Sequence, residues 1–134
     1  MGYPRQGGTM SDTKCIRKFV EPAKIRALRN LVRTGAEPIE TLAGTLQATG
    51  NETRLMILWL LTIESELCPC DLADALGLSV PAVSQQLQKL RAQRLVTRRR
   101  DGVTIYYALA DTPFTAVLRQ LLDTQVPALL TVQR

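Results

Sequence analysis

Pro69-Cys70-Asp71-Leu72-Ala73-Asp74-Ala75-Leu76-Gly77-Leu78-Ser79-Val80-Pro81-Ala82-Val83-Ser84-Gln85-Gln86-Leu87 reads as two helices joined by a glycine turn. Pro69 suits a first helical turn, where its missing N–H would have no partner anyway. The spacing predicts a short helix from about Pro69 to Ala75, then the turn Leu76-Gly77-Leu78, then Ser79 capping a helix that begins at Val80 or Pro81. Helix, glycine turn, capped helix is the pattern of a helix-turn-helix. On the second helix Ala82, Val83, Leu87 and Leu90 share an inward face. Ser84, Gln85, Gln88 and Lys89 are left outward, and short polar and amide side chains suit the reading of base edges in a major groove.

Downstream, Leu95 to Arg100 reads as a strand, Asp101-Gly102 as a tight turn and Val103 to Leu109 as the return strand. A basic hairpin after a reading helix is a wing. Lys89, Arg91, Arg94, Arg98, Arg99 and Arg100 follow Ser84 with no acidic residue among them. Such a set is placed to neutralise phosphates, so affinity for DNA should fall steeply with salt. The plainer alternative, a solvated basic face, accounts for the triple arginine alone but not for its coupling to a capped helix and a hairpin. A last helix is expected from about Pro113 to Leu130, supported by Val117, Leu118, Leu121 and Leu122, with Pro127 a point of interruption.

Upstream, residues 1–20 read as a flexible arm carrying Cys15, and 21–134 as the folded domain. Ile25, Leu28, Leu31 and Val32 predict a helix from Glu21 to Val32. Thr34-Gly35-Ala36-Glu37-Pro38 then punctuates the chain, and a second helix is expected from about Ile39 to Ala48 with Leu42 and Leu46 inward. Asn51 caps the next helix, where Leu55, Ile57, Leu58, Trp59, Leu60 and Leu61 are so continuously apolar that it should form the centre of the core. The fold class is therefore mainly α with a small β-hairpin wing, a winged helix-turn-helix.

With 134 residues, 46% of them hydrophobic, the chain is sized for one domain with a true core. Its 17 Lys and Arg against 12 Asp and Glu leave a charge of +5, which suits an anionic partner. Histidine is absent, which removes His-based zinc sites, the Ser-His-Asp machinery and most general-base schemes, so an enzyme is not expected. No apolar run is long enough to cross a bilayer and the first residues do not read as a signal peptide. The cytoplasm is the expected location, with no membrane partner.

The cysteines are Cys15, Cys68 and Cys70. An odd number in a reducing compartment argues for metal binding or thiol redox over a disulfide framework. Cys68 and Cys70 flank Pro69 at the start of the first helix of the pair, where the positive end of the helix dipole suits an anionic thiolate. In an extended or capping segment the two sulfurs can converge on one ion. Cys15, flanked by Lys14, Arg17 and Lys18, is the remaining sulfur donor of that kind.

Leu46-Gln47-Ala48-Thr49-Gly50-Asn51-Glu52-Thr53-Arg54-Leu55-Met56-Ile57-Leu58, Glu66-Leu67-Cys68-Pro69-Cys70-Asp71-Leu72-Ala73 and Val83-Ser84-Gln85-Gln86-Leu87 together resemble the ArsR/SmtB family of metal-responsive repressors over about residues 40 to 123. The resemblance implies a homodimer, built on the first and last helices, that binds near-palindromic operator DNA and lets go when metal binds. It implies DNA contacts from Ser79, Ser84, Gln85, Gln88, Lys89, Arg91, Arg98, Arg99 and Arg100, and metal ligation by Cys68 and Cys70, with Cys15 reaching from the arm of the opposite protomer. A three-sulfur set suits arsenite, antimonite, lead or mercury better than cadmium. The family's other metal site, made of Asp and His on the final helix, matches only at Asp111, since Pro113, Thr124 and Pro127 take its remaining places. A thiol-redox repressor of the same fold is the nearest rival reading. From a different class, the chain could be a metal-buffering thiol protein or a nonspecific nucleoid binder.

Overall fold

The computed structural model describes residues 21–126, so Cys15, the arm and the segment from Pro127 onward lie outside the described residues. The elements are α1 (Pro22–Thr49), α2 (Glu52–Ile63), α3 (Pro69–Leu76), α4 (Val80–Ala92), β1 (Val96–Asp101), β2 (Thr104–Leu109) and α5 (Pro113–Gln125). The chain divides into two compact units, the first ending at Ala43 and the second running from Gly44.

Within the first unit the expected break does not occur. One helix runs through Gly35 and Pro38, where two had been predicted. Proline inside a helix removes the hydrogen bond to the carbonyl four residues earlier, here Thr34. Thr34 and Pro38 are both solvent-exposed, and water can take the place of the lost donor, so a residue that punctuates a buried helix is tolerated in this one. The Thr34 hydroxyl also donates to the Asn30 carbonyl at 2.8 Å. Leu28, Leu31, Val32, Ile39 and Leu42 are exposed along this helix, and Leu46 is exposed beyond Ala43.

In the second unit the core follows the predicted apolar positions. Asn51 caps α2 by accepting from the Arg54 N–H at 3.0 Å. Ile57 and Leu58 of α2 are fully buried with Leu72 of α3, Val83, Leu87 and Leu90 of α4, and Leu95. Trp59 and Leu60 pack against this cluster from its edge, and Met56 is exposed, so α2 is buried on one broad side only. Cys68 is the N-cap residue of α3 and Gly77 closes that helix in the left-handed region at φ +69°. Ser79 caps α4, accepting from the Ala82 N–H at 3.2 Å. In α5 the Thr112 and Thr115 side chains cap the helix reciprocally, and Thr115 also donates to the Ala110 carbonyl at 2.6 Å. Leu118 and Leu122 face the core, whereas Val117 and Leu121 are exposed.

The hairpin differs from expectation by one residue. Asp101 pairs with Thr104, which leaves Gly102 and Val103 as the loop. Only Gly102 has positive φ, at +66°. A two-residue loop with the positive φ at its first position is the type II′ pattern, whereas an Asp-Gly loop of type I′ would need positive φ at both. Leu67, outside both strands, lies against this sheet through an isolated antiparallel bridge to Tyr107.

Arg94, between α4 and β1, is the one non-glycine residue at positive φ among those described, at +60°. The turn is fixed by Arg94 N–H to Arg91 carbonyl at 2.9 Å and Leu95 N–H to Leu90 carbonyl at 3.0 Å. A side chain in this region costs about 1 to 2 kcal/mol, part of which glycine recovers before its own greater freedom in the unfolded chain is counted. Arg94→Gly is therefore expected to leave stability unchanged or raise it by up to about 1 kcal/mol, read as the urea midpoint at constant slope, despite the loss of a side chain.

Candidate nucleic-acid interface and thiol segment

The helical pitch decides which α4 residues face outward. Val83, Leu87 and Leu90 are buried, while Pro81, Gln85, Gln88, Lys89 and Ala92 are exposed and Ser84 is half-buried beside them. Gln85 and Gln88 stand near the middle of the exposed side, and Pro81 shares it, a residue that the polar pattern alone did not single out. Gln86 points elsewhere: its side-chain oxygen accepts from an Arg54 Nη at 2.9 Å, while Arg54 Nε donates to the Ala48 carbonyl at 2.7 Å. Arg54 thus ties the end of α1 to α4. Nothing in the local sequence pattern encodes this role, which depends on contacts to two other elements. Ser79 is exposed with its oxygen engaged in the cap, and a hydroxyl so used can still donate outward.

The cations separate by strand geometry. Successive side chains on a strand point to opposite faces, so Arg98 and Arg100 share one face of β1 and Arg99 takes the other. Register places Arg98 opposite Tyr107, Arg99 opposite Tyr106 and Arg100 opposite Ile105. Among the described residues Arg98 and Arg100 have no ion-pair partner, and with Lys89 and Arg91 they are exposed. Arg99 is held. Its Nε and one Nη donate to the two Glu66 carboxylate oxygens at 2.8 and 2.7 Å, and its guanidinium carbon lies 5.0 Å from the centre of the Tyr106 ring. The second Nη is 3.9 Å from Asp101 Oδ2. The Arg99 hydrogen bonds hold the Glu66 carboxyl below its usual range, and Glu66 in turn pushes the Arg99 pKa further up.

Glu66 stands two residues before Cys68. Leu67 between them exchanges both backbone hydrogen bonds with Tyr107, at 3.0 and 2.8 Å. Alternation about Leu67 puts Glu66 and Cys68 on the Arg99 and Tyr106 face of the sheet. Cys68 has extended backbone at φ −88°, ψ 162°, and its side chain makes no cap hydrogen bond, so its sulfur remains available. Cys68 is half-buried and Cys70, inside the first turn of α3, is exposed. Among the described residues no group of three or more Cys, Asp or Glu side chains comes together as a metal site. The two cysteines supply sulfurs of the right chemistry for a soft ion but an incomplete set, which a third donor would have to finish.

A capped two-helix reader with a basic two-stranded wing defines a winged helix-turn-helix DNA-binding regulator. Residues 51–98 match the family model described as "Bacterial regulatory protein, arsR family". The transcriptional repressor SmtB homolog of Synechocystis sp. is 36% identical over 109 residues, 81% of this chain and 81% of that protein. Nodulation protein NolR of Rhizobium meliloti is 45% identical over 87 residues, 65% of this chain and 70% of that one. The solution structure of Mb0332 from Mycobacterium bovis, titled a homodimeric winged helix-turn-helix DNA-binding domain, superposes with a TM-score of 0.61 at 28% identity, covering 69% of this chain and 85% of that one. The chain belongs to the ArsR/SmtB family of DNA-binding transcriptional regulators, and is not an enzyme. No helix among the described residues is long and apolar enough to cross a membrane.

Proposed function

We propose that this protein is a cytoplasmic repressor that grips near-palindromic operator DNA as a homodimer and releases it when a thiophilic ion is bound by Cys68 and Cys70, with Cys15 from the partner's arm completing the ligand set. The observation that carries the reading is the position of Cys68, a free sulfur at the N-cap of the first reader helix and one residue from the backbone bridge to the wing. Exposed Leu28, Leu31, Val32, Leu42 and Leu46 on α1 and Val117 and Leu121 on α5 support dimerisation, since apolar side chains at helical spacing favour a partner over water. Gln85, Gln88 and Ser84 would meet base edges, with Ser79, Lys89, Arg91, Arg98 and Arg100 on phosphates. Two reading helices must match half-sites about one duplex turn apart, so a small change in their spacing empties the operator.

Three sulfurs favour arsenite, antimonite, lead or mercury over cadmium. The test is an anaerobic titration with arsenite, lead, cadmium and mercury, followed in parallel by thiolate-to-metal absorption and by operator release. Saturating absorption at the concentration that frees the DNA is the expected result. Release that needs an oxidant and shows no such absorption would instead establish a thiol-redox switch, and failure to protect any defined palindrome would leave a buffer or a nonspecific binder.

A further inference from the structure

Two contacts fasten the cysteine segment to the wing, and a third, within the wing, holds the guanidinium that makes one of them. Leu67 and Tyr107 exchange backbone hydrogen bonds, Arg99 grips both oxygens of Glu66, and the same guanidinium lies over Tyr106. The Arg99 side chain is 52% exposed, a setting in which a single-point ion pair would contribute little. A two-pronged fork is different, because it fixes direction as well as distance.

We propose that Glu66 and Arg99 form the joint through which the Cys68–Cys70 segment sets the position of the wing, and that Arg99 is a positioning residue and not a phosphate contact. The inference rests on the metal-sensing reading above. Two of the five N–H donors of Arg99 are committed to Glu66 and its far nitrogen lies 3.9 Å from the Asp101 carboxylate, so its charge is already answered by acidic side chains and its direction is set by the fork. Arg98 and Arg100 project from the other face and remain free to follow the DNA backbone. A sulfur drawn toward an ion at Cys68 moves Glu66, two residues away, and the fork carries that displacement to the strand that bears both free arginines. The Leu67 bridge keeps the segment in register while this happens.

The test uses the full chain with Glu66→Gln, Arg99→Gln and the double substitution, each measured for thiolate-to-metal absorption, operator affinity with and without metal, and salt dependence. Metal absorption should match the wild type in all three variants. The metal-induced loss of operator affinity should shrink about fivefold or more in each single variant and no further in the double. Without metal, the slope of log affinity against log salt should stay at the wild-type value. A slope lowered by roughly one per protomer in Arg99→Gln would make Arg99 a phosphate ligand and overturn the proposal. Undiminished release by Glu66→Gln at normal metal absorption would also overturn it while leaving the sensor intact. Absence of metal absorption in the wild type would instead overturn the sensor reading, and the signalling role of the joint with it.

Discussion

Cys70→Ser is expected to stay on its operator at ion concentrations that strip the wild-type repressor from the same DNA. The side chain is exposed and lies in the first turn of α3, away from the buried cluster, so the oxygen replacement changes coordination chemistry with little effect on packing. Serine is a hard donor and a poor ligand for soft ions. Coupling between effector and DNA in such switches amounts to about 1 to 3 kcal/mol, or about 5- to 150-fold in affinity. Loss of a sulfur from the proposed set of three should remove most of that factor while metal-free affinity stays within about twofold of the wild type. A gel-shift titration with and without the ion separates the two quantities. Normal release by the serine variant would remove Cys70 from the ligand set.

Leu87→Ala should be the most damaging of the substitutions considered for the fold. Leu87 is fully buried on α4 and belongs to the cluster that includes Ile57 and Leu58 of α2, Leu72 of α3 and Leu95 at the entry to β1. Truncating a buried leucine removes its transfer free energy and leaves a cavity that the neighbours fill only in part, at a cost of about 2 to 5 kcal/mol. Against a total stability of about 5 to 15 kcal/mol, that is a large share of what holds the fold together. Urea denaturation should show a lowered midpoint at unchanged slope. Gln88→Ala, one residue further along the exposed side, should leave the midpoint where it was. The contrast between neighbours distinguishes packing from recognition.

The fold was legible wherever a local signal had a single physical meaning. Asn51, Ser79, Gly77 and Pro69 each satisfy or terminate a helix end, and the structure uses them so. Pro38 misled because a proline ends a helix only when nothing else can satisfy the freed carbonyl, and its exposure on α1 was not visible in the local pattern. The hairpin loop shifted from Asp101-Gly102 to Gly102-Val103 because both II′ and I′ loops accept a glycine, and only the cross-strand register decides between them. At the site, the outward glutamines and the cysteine pair could be read from spacing. The separation of Arg99 from Arg98 and Arg100 was available in principle from strand alternation, but its engagement by Glu66, thirty-three positions away, depends on a tertiary contact that no local pattern encodes. The same holds for Arg54, whose partners Ala48 and Gln86 lie on either side of it in sequence.

That arginine has a mechanical meaning. One guanidinium grasps the closing turn of the longest described helix and an amide midway along α4. The end of α1 and the middle of α4 are therefore tied through one side chain, so a substitution at Arg54 would loosen two helices at once.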